Sequence, residues 1–336
     1  TFLSNGNVVE NNIANSNKLG GGIGVQQNSD DNVLNSNTAN FNLRANGGIV
    51  ISNSLRPVLT NNVANENSLY GIFVSRSPDA TLTGNTANSN VHGISISNDS
   101  ERSSLTRTIA ESNDFDGIAV SRSSNSIIEE NLIKSNGRNG LIIGGGEGYS
   151  VIRNTITLNS AFAFQILLSD NNVVTDNVID SNEGGIGISS CNNNEFARNT
   201  VSSNQFGLSI NRGGQNIIYN NNFIDNSIQA QAITSDNIFN LPAPDGGNYW
   251  NTFDEPAEGC DDSNSDGFCD SAFVFTGGRD NLPLTMPVAN LTPIEQIESL
   301  IADVEKLVDD SLLEDKDGKK LVKKLNKTIK ELEKEK

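Results

Sequence analysis

Apolar residues recur in three columns along residues 1–241, and successive members of a column lie 22 to 26 residues apart. The first column is Val9, Leu34, Leu59, Leu82, Leu105, Ile128, Val151, Val174, Phe196 and Ile218. The second is Ala14, Ala39, Ala64, Ala87, Ala110, Ile133, Ile156, Ile179, Val201 and Phe223. The third is a Gly-apolar-x-apolar stretch with the pairs Ile23/Val25, Ile49/Ile51, Ile72/Val74, Ile94/Ile96, Ile118/Val120, Leu141/Ile143, Phe164/Ile166, Ile186/Ile188 and Leu208/Ile210. Because apolar positions alternate within short segments, each column predicts a stack of short β-strands.

Two series of asparagines follow the same period. The first is Asn12, Asn37, Asn62, Asn85, Asn131, Asn154, Asn177, Asn199 and Asn221, with Thr108 where an asparagine is missing. The second, five residues later, has no gap: Asn17, Asn42, Asn67, Asn90, Asn113, Asn136, Asn159, Asn182, Asn204 and Asn226. Asparagine tolerates left-handed turn angles, so we expect these residues to take them. Stacked amides can also donate to one another as a ladder, which satisfies buried polar groups.

A fixed period of this size is typical of a solenoid, in which each repeat contacts only its neighbours. Three short strands per turn predict a right-handed, single-stranded parallel β-helix of about ten coils, with like residues stacked about 4.8 Å apart. The second column grows from alanine to isoleucine and phenylalanine, which indicates a core that widens toward the C-terminus. We expect Thr108 to interrupt one ladder, with a water or a local hydroxyl bond filling the gap.

Residues 242–291 are predicted to form an acidic cap. Trp250 is the sole tryptophan, and with Tyr249 and Phe253 it could cover the apolar end of the last coil or form an aromatic platform for carbohydrate. We favour the lid.

Within this cap, one acidic loop has the phase of a calcium site. The predicted Ca²⁺ ligands are Asp262, Asn264, Asp266, the Phe268 carbonyl and Asp270, since hard oxygen donors at alternating positions suit this ion. The position of the bidentate glutamate of a full EF-hand is occupied by Phe273, so a solvated acidic loop is the alternative. Cys260 and Cys269 bracket the loop and are predicted to form a disulfide, which leaves Cys191 in a turn between coils.

Residues 292–336 are predicted to form an α-helical hairpin tail. A capping box at 292–295 opens the first helix, Asp315–Gly318 interrupts the helical period, and Leu321, Leu325, Ile329 and Leu332 form a second apolar stripe. The apolar faces would pack together or on a partner.

The chain has 336 residues and a net charge of −18. Residues 1–241 carry 20 acids and 12 bases (−8), residues 242–291 carry 9 acids and one arginine (−8), and residues 292–336 carry 12 acids and 10 lysines (−2). This balance argues against nucleic acid as a partner, and no apolar run is long enough to span a membrane. Thr1 lies in mid-pattern, so we expect a processed or truncated N-terminus, and the cysteine pair favours an exported, extracellular or cell-surface protein.

Candidate catalytic groups are scarce on the third strand. Its outward positions are Gly24, Val50, Phe73, Ser95, Ala119, Ile142, Gln165, Gly187 and Ser209, none of them an acid or base. A hydrolase of the paired-carboxylate kind needs two carboxyls on such a face. The flanks bring together Tyr70, His92 and Asp116 on consecutive coils, with Arg76 and Arg122 at the other end of the strands. These five residues are the candidate site for proton abstraction next to a uronate carboxylate, the alternative being solvated loop residues.

The Gly-Ile-x-Ile and Asn-x-Ile-x-x-Asn coils resemble the NosD-like parallel β-helix repeats, also grouped as carbohydrate-binding and sugar-hydrolase (CASH) domains. The stretches Gly247–Trp250 and Asn281–Leu284 and the Asp-rich loop resemble the segment that ends many exported archaeal and bacterial proteins of this type. The resemblance implies a β-helix shared by lyases, epimerases, hydrolases and non-enzymes. It also raises copper, which prefers His, Met or Cys clusters. One histidine, one methionine and three cysteines supply no such cluster, so neither copper nor an organic cofactor is predicted.

Three functions follow from these features. The first is an exported, non-catalytic scaffold that binds extracellular polysaccharide or other cell-surface components. The second is a polysaccharide lyase or epimerase acting on uronates through Tyr70, His92, Asp116, Arg76 and Arg122. The third is a structural filament subunit that associates with itself.

Overall fold

The computed structural model describes residues 3–43, 47–234, 236–289 and 313–332, together with the single positions Ile297, Ile301, Val304 and Val308. Two compact units divide the chain: Thr1–Val288 contains the β-structure, and Ala289–Lys336 contains the tail. Each unit is described by itself.

In the described part of the first unit, strands wind into a parallel β-solenoid of about ten turns. Three parallel sheets run along it, called here sheets 1, 2 and 3 in the order in which the chain visits them. Sheet 1 contains Val8–Glu10, Val33–Asn35, Val58–Thr60, Thr81–Thr83, Ser104–Thr106, Ile127–Glu129, Ser150–Ile152, Val173–Thr175, Glu195–Ala197 and Ile217–Tyr219. Sheet 2 contains Ile109–Glu111, Leu132–Lys134, Thr155–Thr157, Val178–Asp180, Thr200–Ser202, Asn222–Ile224 and Tyr249–Trp250, and single bridges from Ile13 to Ile109 extend it toward the first coils.

Sheet 3 is built from the Gly-apolar-x-apolar stretches. It contains Ile23–Gln26, Ile49–Ser52, Tyr70–Ser75, His92–Ser97, Ile118–Ser121, Leu141–Gly144, Phe162–Leu167, Gly184–Ser189, Phe206–Asn211 and Ile228–Ala232. A 3₁₀ turn at Pro256–Glu258 and an antiparallel pair, Phe273–Phe275 with Gly278–Asp280, follow the solenoid.

The register places like positions of the repeat side by side. In sheet 3, for example, Ile118 pairs with Ile94 on one side and with Leu141 on the other. The three predicted apolar columns therefore become three stacked rows of one continuous core, in which members such as Leu82, Ile133 and Phe164 are fully buried. The predicted solenoid and its strand columns are confirmed.

Left-handed turn residues stand one position before the ladder asparagines. Ser36 has φ 54° before Asn37, and Ser135 has φ 56° before Asn136. The expectation that the asparagines themselves take left-handed angles is therefore wrong. Their amides are used instead to join coils, and the turn conformation falls to the preceding residue.

The second asparagine series forms an unbroken ladder. Each side-chain Nδ2 donates to the Oδ1 of the asparagine on the next coil, from Asn17 to Asn42 at 2.7 Å and onward to Asn204 and Asn226 at 3.0 Å. The same Oδ1 also accepts from the backbone N–H of the preceding coil's asparagine, as between Asn136 and Asn159 at 3.0 Å. Each Oδ1 thus accepts two hydrogen bonds from the asparagine on the preceding coil, one from its backbone and one from its side chain.

The first series is interrupted at Thr108, as predicted. Among the described residues, the ladder step from Asn85 to Thr108 is missing, and the Thr108 hydroxyl donates locally to the carbonyl of Thr106 at 3.2 Å. The ladder resumes because the Thr108 N–H donates to Asn131 Oδ1 at 2.9 Å. It then continues beyond the repeats, since Asn221 donates to Asn248 at 2.9 Å.

The turn between sheets 3 and 1 holds a further ladder that the sequence analysis missed. Near the C-terminal end Asn172 donates to Asn194, Asn194 to Asn216, and Asn216 to Asn237. A second column of serines, three positions earlier in the repeat, also joins coils in this turn, since the N–H of Ser77 donates to Ser100 Oγ at 3.0 Å. The signal was present in the sequence as serines at positions 54, 77, 100 and 123, which are 23 residues apart.

Glycine before the first apolar residue of most third strands permits a close approach between sheet 3 and the second ladder, with Ala163 and Gln229 as the exceptions. A Cβ on Gly71 would lie 2.7 Å from both Ala87 Cβ and Asn90 Nδ2. The Gly-apolar-x-apolar motif therefore reflects a steric requirement of the coil rather than a ligand site.

Trp250 closes the C-terminal end of the core. Its ring is fully buried and stacks between Phe223, at a centroid distance of 4.4 Å, and Phe273, at 4.7 Å. The lid interpretation is confirmed, and the platform interpretation is wrong because no face of the indole is open.

A buried carboxylate holds this lid in place. Asp280 accepts from the indole N–H of Trp250 at 2.9 Å, from the N–H of Asn248 at 2.7 Å and from the N–H of Leu282 at 3.1 Å. Burial outweighs these donors and raises the pKa of Asp280 to about 6. The lid, the antiparallel pair and the last ladder asparagine are thus tied together at one carboxylate.

In the second unit the described helix is Asp315–Leu332. Asp315–Gly318 form its first turn, so the expectation that they interrupt the helical period is wrong, and residues 313 and 314 are the non-helical ones. Ile297, Ile301 and Val304 of the first predicted stripe are also helical, and Val304 is buried. The capping box at 292–295 lies outside the described residues, so the hairpin stays a prediction. Among the described helices, none is both long and apolar enough to cross a bilayer.

The interrupted ladder predicts that Thr108→Asn stabilises the protein. A new amide would accept from Asn85 and donate along the column, which we expect to add about 1 kcal/mol to the free energy of unfolding. Asn62→Thr should instead lower it by about 2 kcal/mol, because the buried N–H groups of Asn37 lose their acceptor. Denaturant unfolding followed by circular dichroism measures both, and a Thr108→Asn variant less stable than the wild type would contradict the ladder's stabilising role.

Candidate functional site

The outer side of sheet 3 is a smooth strip, called here the sheet-3 face. The register confirms that its central column is Gly24, Val50, Phe73, Ser95, Ala119, Ile142, Gln165, Gly187 and Ser209, and it adds Gln231. None of these ten side chains ionises. The strip presents apolar and hydrogen-bonding groups, and any charged group must reach it from the turns at its two edges.

Four rings stack at one edge of this face. Phe73 stacks on Tyr70 at 4.9 Å between centroids, Tyr70 on His92 at 5.2 Å, and His92 on Phe115 at 5.2 Å. Tyr70 and His92 pair directly in the sheet, whereas Phe115 enters from the turn before the next strand. The histidine therefore lies between a phenol ring and a phenyl ring, not between a phenol and a carboxylate as the sequence suggested.

His92 is shielded by its two neighbours. Burial lowers the pKa of His92 below its usual 6.5, and the nearby Asp116 charge only partly offsets this effect. The imidazole is therefore neutral near pH 7. Because the folded-state pKa is depressed, the fold loses stability as the pH falls below about 6.5.

Asp116 is directed away from the ring stack. Only 6% of Asp116 is exposed, and its Oδ1 accepts from the Nδ2 of Asn139 at 2.9 Å and from the N–H of Asn139 at 3.2 Å. Arg138 Nε lies 3.7 Å from the same oxygen. The carboxylate is thus fixed by the following coil.

Arg76 and Arg122 occupy the opposite edge. Both have left-handed backbone angles, with φ 48°, just after the third strand. Six residues of extended chain separate Arg76 from Tyr70, a distance of ~20 Å. Within the described residues neither arginine forms an ion pair, in contrast to Arg56 and Arg198, which pair with carboxylates of the preceding coil.

Two cavities open on the sheet-3 face. One of ≈270 Å³ is lined by Asp116, Ala119, Val120, Ser121, Ile142, Ile143, Gly144 and Leu167. The other, of ≈160 Å³, is lined by Ala161, Phe162, Glu183, Gly184 and Phe206. The Phe162 ring packs over the next coil, where a Cβ on Gly184 would meet its Cδ1 at 2.4 Å. Aromatic rings therefore flank the face on coils both before and after the larger cavity.

The acidic loop carries the predicted disulfide. Cys260 and Cys269 are bonded, with their Cα atoms 4.7 Å apart, and Cys191 is buried in a turn between coils, where its Sγ accepts from the N–H of Ser169. Both expectations are confirmed.

The predicted calcium ligands lie in one loop that is held by hydrogen bonds from backbone N–H groups to side-chain oxygens. Asp262 accepts from the N–H groups of Asp266 and Gly267, each at 3.0 Å, and Asn264 Oδ1 accepts from the Asp266 N–H at 3.2 Å. Asp270 accepts from the Ser263 N–H at 3.0 Å, which lowers its pKa. In the described portion of the chain, no three His, Cys, Asp or Glu side chains converge as metal ligands would. The structure thus brings Asp262, Asn264 and Asp266 together, and leaves the metal itself a prediction.

Sequence reasoning found Tyr70, His92 and Asp116 but missed Phe115, Asn139 and Phe162. Asn139 and Phe162 continue the column of Tyr70, His92 and Asp116 at intervals of 23 residues. Phe115 lies one position before Asp116, so the period itself could have located all three missed residues. An available signal was aromatic residues close to the motif glycines, at Phe115 and Phe162.

Two family models match the chain. One described as a right-handed beta helix region matches residues 2–110, and one described as periplasmic copper-binding protein (NosD) matches residues 98–255. No curated protein matches at a significant level.

Among solved structures, the A-module of the mannuronan C-5 epimerase AlgE6 from Azotobacter vinelandii is similar with a TM-score of 0.54 and 11% identity, covering 69% of this chain and 78% of that one. A double mutant of the periplasmic alginate epimerase AlgG has a TM-score of 0.45 and 17% identity, covering 62% and 64%. The Dettilon tailspike protein has a TM-score of 0.48 and 12% identity, covering 72% and 59%. The chain thus spans less than two thirds of the AlgG chain. At these identities the similarity shows the fold alone.

The ring stack predicts a titration midpoint below 6.5 for His92, which NMR can assign without ambiguity because it is the only histidine. Phe115→Ala should raise the midpoint, since it removes one of the two rings that shield the imidazole from water. Phe41→Ala is the matched control, because Phe41 is 44% exposed and Phe115 is 46% exposed. A wild-type midpoint at or above 6.5 would mean that the stack does not exclude water.

Proposed function

Since the chain is a NosD-like right-handed β-helix repeat protein, we propose that it is an exported, non-catalytic scaffold that binds extracellular polysaccharide along the sheet-3 face. The observation that carries the proposal is a long face without ionisable side chains, flanked by aromatic rings. Such a combination binds extended ligands through contact area and stacking, and it supplies few groups for bond cleavage.

The dimensions of the face suit a linear polymer. Like positions repeat about every 4.8 Å along the solenoid axis, so the same set of contacts is offered to successive units of a chain. Aromatic side chains give large apolar contact with a polar edge, and Phe115, with 46% of its surface exposed, is the most accessible ring of the stack. Gln165 and Ser209 add an amide and a hydroxyl group on the same column, whereas Ser95 is only 7% exposed.

Catalysis has weaker support. Proton abstraction requires a base within hydrogen-bond reach of the substrate and a charge that stabilises the product. Here His92 is enclosed by rings, Asp116 is engaged by Asn139, and Arg76 lies at the far edge of the sheet. A lyase or epimerase is the alternative hypothesis. It predicts turnover of a uronate polymer, and that turnover should require His92.

Export is supported by the disulfide. A bond between Cys260 and Cys269 is typical of oxidising compartments such as the periplasm and the cell exterior. The matching NosD family is described as periplasmic, which agrees with an exported protein.

Glycan-array screening followed by calorimetry tests the proposal. We expect binding to at least one polysaccharide without turnover, and a loss of about fivefold in affinity for Phe115→Ala, since a stacked ring is worth about 1 kcal/mol. Phe41→Ala should bind as the wild type does. Turnover of alginate or polygalacturonate that His92→Ala abolishes would overturn the scaffold in favour of the enzyme. Self-assembly seen by light scattering, with no glycan bound, would favour the structural filament subunit.

We also propose that the loop at 260–270 binds Ca²⁺. Its support is the convergence of the Asp262 and Asn264 side-chain oxygens on one backbone N–H, and the local charge of −8 over residues 242–291. Asp266 and Asp270, with the Phe268 carbonyl, would complete an oxygen ligand set.

Calcium binding predicts a melting temperature that rises with Ca²⁺ and falls with EDTA, because a ligand that binds only the folded state stabilises it. Asp262→Asn with Asp266→Asn should abolish the shift, while Asp30→Asn with Asp31→Asn, a similar pair in the solenoid, should retain it. A melting temperature that EDTA leaves unchanged would rule out the metal.

A further inference from the structure

The ≈270 Å³ cavity on the sheet-3 face combines an apolar floor with a single buried carboxylate. Ala119 and Ile142 lie side by side on adjacent strands and form the floor, and Leu167 extends it on the next coil. Gly144 has no side chain and so leaves the far end of the cavity unfilled; a Cβ there would lie only 3.0 Å from the carbonyl oxygen of Leu167. The cavity therefore offers a flat apolar surface bounded by polar groups.

Asp116 stands at the near end and is 94% buried, yet it lines this cavity. Both hydrogen bonds from Asn139 end on Oδ1. Among the described residues, Arg153 Nε is the only side-chain nitrogen or oxygen that is both buried and without a hydrogen-bond partner. Asp116 Oδ2 is therefore not a fully buried atom. A carboxylate oxygen with free lone pairs therefore remains accessible to a ligand in the cavity.

The surroundings of this oxygen leave its charge poorly screened inside the cavity. Arg138 approaches Oδ1 from the rim at 3.7 Å, and its side chain is 51% exposed, so water weakens its effect. Arg122 follows Ser121 at the far end, where its stem packs beside Gly145. The solenoid residues 1–241 carry a net −8. A ligand carboxylate placed on the floor would thus meet a fixed negative charge in a partly desolvated site.

We propose that this cavity binds one neutral hexopyranose unit of the polysaccharide and selects against uronic acids. The apolar face of the sugar ring lies on Ala119 and Ile142, and ring hydroxyls donate to Asp116 Oδ2 in charge-assisted hydrogen bonds. This inference rests on the proposed glycan binding and adds its chemical class. It places Asp116 as an acceptor of hydroxyl protons rather than as a base.

The test compares polymers that share a backbone and differ in charge. Polygalacturonate and alginate are each measured by calorimetry against their carboxyl-reduced, neutral derivatives at one ionic strength. We expect the wild type to bind at least one neutral derivative about tenfold or more tightly than its uronate parent, because the Asp116 charge repels a ligand carboxylate in the partly desolvated cavity. Asp116→Asn keeps an acceptor for Asn139 and removes the charge, so it should bring the ratio to about threefold or less.

A second variant tests the place of binding without touching Asp116. Ala119→Phe fills the cavity from its half-exposed floor and should weaken binding of the neutral polymer about tenfold or more. Thr155→Phe makes a comparable change on the outer side of sheet 2 and should leave binding intact. Melting curves confirm that each variant is folded.

The outcomes separate the two proposals. A wild type that prefers uronates, or a ratio that Asp116→Asn leaves unchanged, overturns the selectivity while glycan binding stands. Full binding by Ala119→Phe overturns the assignment to this cavity. Binding of no polymer of either kind overturns the proposed function and this inference with it.

Discussion

The side-chain amide that joins one coil to the next is the interaction on which this structure depends. A coil of about 23 residues has too little interior to fold alone, so its strands and turns are stable only when the next coil satisfies them. Each ladder asparagine does this twice, because its Oδ1 accepts from both the side chain and the backbone of its neighbour. A buried amide without that partner costs free energy, so the ladder enforces the register as well as stabilising it.

Enforced register has a consequence for function. Every outward position of the repeat becomes a row with a spacing of about 4.8 Å, and the central row of the sheet-3 face consists of small, apolar, hydroxyl and amide residues. Individual chemistry also enters where a turn changes length, as it does before Phe115, whose turn is one residue longer than that of the preceding coil. The ring stack, the Asp116–Asn139 pair and the larger cavity all lie beside such turns.

The C-terminal end of the solenoid is closed by a lid of aromatic residues. A stack of coils leaves an apolar cross-section open at its end, and here Trp250 covers it. Asp280 accepts the hydrogen bonds of the Trp250 indole N–H and the Asn248 N–H, which the lid would otherwise bury without a partner. The last ladder asparagine, Asn248, donates to carbonyls of Ile218 and Phe239 beneath the lid. The disulfide loop lies in this cap and not on the sheet-3 face, so the proposed metal site and the proposed glycan site share no residue.

The repeat alone determined the solenoid, its three columns, both predicted ladders and the break at Thr108, because coils that repeat in sequence must repeat in space. The lid and the disulfide also followed from the sequence, since a sole tryptophan at the end of an apolar column and two cysteines around one loop have few other uses. Only the tertiary structure decided that left-handed angles fall to the residue before each asparagine. It also decided that His92 faces Phe115 instead of Asp116, and that the carboxylate turns toward Asn139. The His92–Phe115 contact joins two coils whose turns differ in length by one residue, and a periodic pattern does not determine which side chains such turns bring together. Asp116 and Asn139 keep the 23-residue interval, but the period alone does not determine which neighbour the carboxylate accepts from.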